Sequence, residues 1–384
     1  MPAAMTDHPG AGGLPGLYVH IPFCLRKCGY CGFFSVTDRE CFPEFLTALG
    51  REAALHGPGW GRFDSLHIGG GTPSLLPADD LVRLLDDLRT CFTIDPAAEI
   101  TVEVNPGDVD PQYLRTLRSA GVNRLTIGCQ SFDDAVLAFL GRRHTARQAL
   151  AAVEAARGAG FANIGLDLIF GIPGQSADHW RQTLAGACSL GPDHLSCYQL
   201  TIEAGTPFAR RHNSGEIALP DDETQADLFL ATSRTLADKG FLQYEVSNFA
   251  RSRGTESRHN SKYWRHTPYL GLGPAAHSFD GRRRWWNVRS VEGYIAELRA
   301  GRLPAAESEL LTADQLRTEA LFLGMRTSEG VNLGEFRRRF GQDLRGEKAD
   351  LIARLAKEGL VELRDGCLRP TRAGMAVSDS LALL

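Results

Sequence analysis

Along the first two hundred residues, short apolar runs alternate with stretches whose apolar positions recur every three or four residues. The runs predict strands at Leu17–Ile21, Ser65–Ile68, Ile100–Val104, Arg124–Ile127, Asn163–Ile169 and His194–Leu200. Between them, the spacing predicts helices over Glu40–His56, Asp79–Thr90, Pro111–Ala120, Asp133–Leu140, Thr145–Gly160 and Ser176–Leu190. In Leu81-Val82-Arg83-Leu84-Leu85-Asp86-Asp87-Leu88 the apolar residues fall at helical spacing, and Asp79 and Asp80 favour the N-terminal end. Six strand–helix units argue a parallel sheet with right-handed crossovers, an α/β fold of the partial (β/α)6 barrel type.

After Leu200 the pattern changes. Glu203–Pro220 is loop-rich, and Glu223–Lys239 reads as a helix closed at Gly240. Tyr244–Phe249 follows, then a Gly- and aromatic-rich stretch to Trp286. From about Ser308, three helical patterns and two short strands (Leu360–Arg364, Cys367–Pro370) predict a small winged-helix-like module. The expected division is a disordered start at 1–16, a barrel at 17–205, an α+β extension at 206–305 and the C-terminal module at 306–384.

Composition narrows the function classes. With 384 residues, 43% hydrophobic and 23% charged, the chain is ordinary globular protein with ample length for a large core. Lys and Arg number 42 against 46 Asp and Glu, a net charge of −4, so no nucleic-acid partner is expected. Glu307, Glu309, Glu319, Glu347 and Glu358 offset the cations of the C-terminal module and speak against a DNA-binding regulator. Nine cysteines without a secretory signal point to a reducing cytoplasm. No apolar run reaches the ~18 residues that span a bilayer, which leaves only peripheral membrane contact open.

The chemistry concentrates in His20-Ile21-Pro22-Phe23-Cys24-Leu25-Arg26-Lys27-Cys28-Gly29-Tyr30-Cys31. This C-x3-C-x2-C spacing offers three thiolates to a 4Fe–4S cluster, which is normally held by four. One iron is left open, much as a catalytic zinc keeps an open position. A structural zinc site would need a second ligand pair, which is missing, and a disulfide framework suits short secreted chains. Gly69-Gly70-Gly71-Thr72-Pro73-Ser74 lets the backbone approach a ligand closely, and it lacks the Lys-Ser/Thr of a phosphate-binding loop. Glu103 at a strand end could accept two ribose hydroxyls or form a surface ion pair. Gln130, Arg142 and Asp167 complete the set: Arg142 could grip a carboxylate bidentately, and Asp167 sits among apolar residues where burial without a partner is costly. Cys24, Gly69–Gly71, Glu103 with Asn105, and Gln130 follow or end successive strands, while Asp167 and Tyr198 lie late in the last two. Active sites of β/α barrels gather at those ends.

With these motifs the chain resembles the radical SAM superfamily, and within it the coproporphyrinogen III dehydrogenase-like branch, over Leu17 to about Asn287. Tyr18-Val19-His20-Ile21-Pro22-Phe23-Cys24 is similar to that branch's opening motif. The resemblance implies a 4Fe–4S cluster on Cys24, Cys28 and Cys31, its open iron taken by S-adenosylmethionine (SAM) through amino and carboxylate groups. It implies SAM contacts from Tyr18, Phe33, Gly70, Gly71, Thr72, Glu103, Gln130, Arg142 and Asp167. The true dehydrogenases carry a fourth cysteine two residues after the third, where this chain has Phe33, and a longer N-terminal extension, where seventeen residues precede Tyr18. His259-Asn260-Ser261-Lys262-Tyr263-Trp264 fits H-N-x-x-Y-W, a motif of the HemW-type haem chaperones, and Gly240–Ala250 is also similar to that family.

The HemW-type resemblance implies haem as cargo, with His259, Asn260, Tyr263 and Trp264 at its site, acceptor haemoproteins as partners, and a homodimer as a state for cluster and SAM to control. The competing expectation for His259 and Trp264 is packing in a lid over the barrel mouth. The competing activity is oxidative decarboxylation of coproporphyrinogen III through a 5′-deoxyadenosyl radical. Gly271–His277 departs from the family pattern at Pro274 and Ala276, which makes His277 a weaker candidate, and His194, Cys188, Cys197 and Cys367 are expected to be structural.

Overall fold

Six parallel strands begin the sheet in the computed structural model, which describes residues 13–381: β1 Gly16–Ile21, β2 Arg62–Gly70, β3 Thr93–Val104, β4 Arg124–Gln130, β5 Ile164–Phe170 and β6 His194–Gln199. They lie side by side in chain order, each parallel to the next. Six further strands come from the extension: β7 Leu242–Gln243, β8 Asn248–Ala250, β9 Tyr269–Leu272, β10 His277–Phe279, β11 Arg283–Asn287 and β12 Ala305–Leu310. They lengthen the same sheet at both edges, giving the order β12-β11-β10-β9-β1-β2-β3-β4-β5-β6-β8-β7. The α/β barrel expectation therefore holds, and the sheet runs on past residue 205. Gly16 opens β1 one residue earlier than expected, inside the stretch 1–16 expected to be disordered, of which 1–12 lies outside the described residues.

Period-2 alternation explains how the sheet faces both ways. Leu17, Val19, Ile21, Leu66, Ile68, Val102, Leu125, Ile127, Leu166, Leu168 and Leu195 are fully buried in one continuous core under the helices. The alternate positions are polar and touch one another across strands: Tyr18 meets His67, His67 bonds Glu103, and Arg124 and Asp167 lie beyond. Parallel strands are usually apolar on both faces. A polar inner face marks a lumen that does more than pack.

Helix ends follow the capping residues. Thr145 closes a capping box with Gln148 ahead of Ala146–Gly158, and Asp133, Ser176 and Asp110 accept backbone N–H groups in the same way. The expected strand at Ile100–Val104 starts earlier, at Thr93. Its first half holds Asp95 and Pro96 beside a register shift against β2, so periodicity did not reveal it.

Glu52, on the helix Phe42–His56, is fully buried. It accepts from Tyr294 Oη (2.5 Å), Asn287 Nδ2 (2.6 Å) and the Gly273 N–H (2.8 Å), and so fastens the extension to the barrel. Its burial pushes the carboxyl up to about 7.

The C-terminal module has its own three-stranded sheet, with β13 Val331–Asn332, β14 Val361–Arg364 and β15 Cys367–Pro370 in the order β13-β15-β14. Its separate core includes Leu321, Met325, Phe336, Ile352 and Leu368. Backbone hydrogen bonds from Val246 to Arg326 (3.0 Å) and from Ser328 to Tyr244 (3.0 Å) tie it to the extension. No helix among the described residues is long and apolar enough to cross a membrane.

Candidate cofactor site at the open end of the barrel

The three cysteines sit on a loop that leaves β1. Its base is closed by hydrogen bonds from the Cys24 N–H to Val36 O (2.9 Å) and from the Val36 N–H to Pro22 O (2.7 Å). Cys24, Cys28 and Cys31 are free, half-buried thiols. Thr72 Oγ1 donates to Cys24 Sγ (3.5 Å), and Arg142 Nη1 lies 3.7 Å from Cys28 Sγ. A side chain at Gly29 would meet the Phe208 ring at 2.6 Å, which ties the loop's path to the helix Pro207–Asn213.

Among the described residues no three His, Cys, Asp or Glu side chains converge as a single-ion cage requires. A cluster spreads its thiolates over separate irons, and Cys24, Cys28 and Cys31 stand on one loop as free thiols. Burial holds the Cys31 thiol above its usual range, and a coordinated metal deprotonates such a thiol outright.

Beside the loop, β2 ends in glycines for steric reasons. Gly70 has φ 111°, and a Cβ there would meet His20 at 2.5 Å. At Gly71 a Cβ would meet the backbone oxygen of Phe23 at 2.7 Å. The bare backbone leaves space that a ligand can use. Glu103 accepts the Gly70 N–H (3.2 Å) and His67 Nε2 (2.9 Å), so its carboxylate is aimed at this backbone. Gln130 is held in the left-handed region (φ 64°) at the irregular end of β4, a strained setting common at functional sites.

Arg142 reaches back under the cysteine loop. Nη2 donates to Asn105 Oδ1 (2.9 Å) and Gly128 O (2.9 Å), while Nε is buried without a partner among the described residues. Asp167 Oδ1 is also buried and unpartnered. Burial, and next the charge of Glu103, push the Asp167 carboxyl up to about 7. An orphaned donor on a cation, an orphaned acceptor and a bare-backbone cradle fit a ligand with a carboxylate and polar sugar groups. Phe33, two thirds exposed, stands on the cysteine loop as a bare aromatic face.

Sequence reasoning named Asn105 and Ser74 but missed Asp108, Arg143 and His144, which stand with them behind this wall. Asn105 Oδ1 also faces His144 Nδ1 (3.2 Å), and its Nδ2 donates to Asp108 (3.1 Å). Arg143 grips Asp108 with bonds of 2.8 and 2.9 Å, and Ser74 Oγ accepts the Asn105 N–H (3.0 Å). Burial keeps His144 down at about 4, hence neutral. The Asn-Pro step at a strand end was the available signal. Tyr198, expected at this end, is 40% exposed.

His259, Asn260, Tyr263 and Trp264 are not at this end. They lie on the helix Arg258–Trp264, beneath the N-terminal ends of the strands, which corrects the expectation of a lid over the mouth. Its first two N–H groups donate to Glu99 (3.0 Å each), and Lys262 pairs with Asp64 and donates to Leu14 O (2.5 Å each). His259 is buried, with Nδ1 on Ser65 Oγ (3.1 Å) and Nε2 on Tyr263 Oη (2.8 Å). Its ring stacks on His67 at 5.2 Å, so a polar column joins it to Glu103 at the mouth. Burial lowers its pKa well below the usual value, which keeps it neutral. Trp264 points the other way, half-buried, with Nε1 unpartnered. His277 is exposed and stacks on Trp286, and His194 is buried on Tyr244 Oη (2.8 Å). Cys197 is buried, and Cys188 and Cys367 are half-buried.

This fold and this cysteine loop define a radical SAM protein: residues 18–185 match the radical SAM superfamily, and residues 311–377 match the HemN C-terminal domain. Membership brings with it a 4Fe–4S cluster and SAM. The chain is 38% identical over 391 residues to "Heme chaperone HemW" of Mycobacterium tuberculosis (strain ATCC 25618 / H37Rv), spanning 98% of this chain and 97% of that one. The protein of the same name from Bacillus subtilis (strain 168) is 34% identical over 368 residues, spanning 95% and 97%. The solved structure of coproporphyrinogen III oxidase (HemN) from Escherichia coli, described as a radical SAM enzyme, is similar over 99% of this chain and 91% of that one, with a TM-score of 0.83 and 26% identity. The chain belongs to the HemW family.

Proposed function

We propose that this protein is a haem chaperone, which binds haem and hands it to acceptor haemoproteins while carrying a 4Fe–4S cluster and SAM. The observation that carries the reading is the identity to HemW relatives over nearly the whole length, 38% across 98% of the chain. Phe33 supports it, because an aromatic ring stands two residues after the last cluster cysteine. In this reading Cys24, Cys28 and Cys31 hold the cluster. Arg142 takes the SAM carboxylate, and Glu103 and Asp167 receive its hydroxyl groups. Gly70, Gly71 and Thr72 let the methionine part lie against bare backbone, Gln130 and Tyr18 line the approach, and Phe33 covers the adenine. A bound and reduced cluster would supply an electron to a ligand on its open iron; the residues here would bind and orient that ligand. In the motif His259, Asn260, Tyr263 and Trp264, His259 and Tyr263 anchor the helix to the barrel and Trp264 faces the haem end; the protein works in the cytoplasm with at most peripheral membrane contact, and cluster and SAM regulate its dimerisation.

Titration of the purified protein with haemin tests this, followed by transfer to an apo-haemoprotein. A saturable Soret shift and transfer of the pigment are expected, and absence of the shift ends the reading. The fold similarity to coproporphyrinogen III oxidase favours a second reading, radical decarboxylation of coproporphyrinogen III. An anaerobic assay with intact cluster decides between the two: protoporphyrinogen IX would support the second, and its absence the first.

A further inference from the structure

Outside the barrel, on the far side of the helix Arg258–Trp264, lies a cleft of about 630 Å³. One wall is that helix with the turn after it, and the other is the C-terminal module. Sites for cofactor-sized ligands span about 300–1,000 Å³. In a chain of net charge −4, this lining carries six cations (Arg253, Arg258, Lys262, Arg265, Arg339, Arg369) against three carboxylates (Asp64, Glu329, Glu335).

Two of those carboxylates are already engaged, Asp64 with Lys262 (2.5 Å) and Glu329 with Arg265 (2.9 Å). Arg369 reaches no closer than 3.9 Å to Asp365, and its Nε is buried without a partner among the described residues. Arg339 lies 4.8 Å over the Phe340 ring, and burial lowers its pKa, with Glu335 only partly opposing. Trp264 Nε1 and His266 Nδ1 are also buried and unpartnered, and the His266 backbone is held at φ 53°. Both cations are half-buried, and the open Arg369 Nε costs stability unless an anion meets it. Trp264 and Phe340, both half-buried, supply flat apolar surface in the same cleft, with the buried Phe336 packed behind Phe340. Anions at one side and a planar apolar body at the other describe an iron porphyrin with its two propionates.

Resting on the haem-chaperone reading, we propose that this cleft seats the haem cargo, with its carboxylates on Arg339 and Arg369 and its ring against Trp264 and Phe340. Cargo and SAM then occupy opposite ends of the barrel. The helix that carries the H-N-x-x-Y-W motif is the wall between them, presenting His259 inward and Trp264 outward.

The test titrates the full chain, cluster reconstituted, with haemin and with haemin whose carboxylates are esterified. The parent is expected to bind the ester at least tenfold more weakly. Arg339→Glu with Arg369→Glu should weaken haemin at least tenfold and leave ester binding, SAM binding and melting temperature unchanged. Equal affinity of the parent for both pigments, or a variant that binds haemin as tightly as the parent, overturns the cleft and leaves the chaperone reading standing. A parent that binds no haemin ends both. The ester comparison needs no substitution, so a variant that fails to fold does not shield the proposal.

Discussion

The two ends of this barrel use the same residue types in opposite ways. At the mouth, Arg142 Nε and Asp167 Oδ1 are buried without partners, Phe33 is exposed, and Gly70 and Gln130 hold left-handed torsions. At the base, both ring nitrogens of His259 are engaged, Glu99 accepts two helix N–H groups, and Lys262 is paired. An unmet buried polar group costs about 1–3 kcal/mol. The mouth carries that cost and recovers it when a ligand arrives; the inner side of the base, at His259, Glu99 and Lys262, recovers it within the chain. Completeness of partners, rather than residue type, separates a site from a scaffold.

The sharpest break of this contrast is at the cysteines. Replacing Cys24, Cys28 and Cys31 by Ser should abolish cluster iron and its visible absorbance, with the far-ultraviolet spectrum retained; iron analysis checks it. At the base, His259→Ala should act as a scaffold change. It removes a buried ring with two hydrogen bonds, and a loss of about 2–4 kcal/mol is expected, read as a lower melting temperature. If it shifted the Soret band without lowering stability, the assignment of the base would be wrong.

Smaller effects sharpen the mouth. Gly71→Ala puts a methyl 2.7 Å from the Phe23 oxygen, so SAM binding by calorimetry should weaken roughly tenfold, about 1.4 kcal/mol. An effect of similar size, confined to one pH range, concerns Asp167. Its folded carboxyl is raised to about 7, above the ordinary 3.8, so the folded chain keeps a proton that the unfolded chain loses. Its stabilising contribution is present below about pH 4 and lost as pH rises through 7. Asp167→Asn should therefore stabilise the SAM-free protein at pH 8, on the order of 1–2 kcal/mol, and leave it nearly unchanged at pH 4; melting curves at both values check it.

Much of the architecture was readable along the chain. Ser65-Leu66-His67-Ile68 already alternates, and in the fold Leu66 and Ile68 are core while Ser65 and His67 face the lumen. The caps at Asp133, Thr145 and Ser176 stand where helix starts were expected. Glu52 was not readable, because it lies in a helical pattern and its partners Gly273, Asn287 and Tyr294 are more than two hundred residues away. The pairing of Arg142 with Asn105 was hidden for the same reason of sequence separation.

Local chemistry was fixed by order alone: the C-x3-C-x2-C loop, the triple glycine and the strand–helix period need only neighbours to be recognised. Direction and depth were not. Whether His259 looks into the lumen and Trp264 out toward the C-terminal module depends on where a seven-residue helix docks beneath β1 and β2. That docking is set by contacts with Glu99 and Asp64, which are distant in sequence and become neighbours only when the sheet has formed.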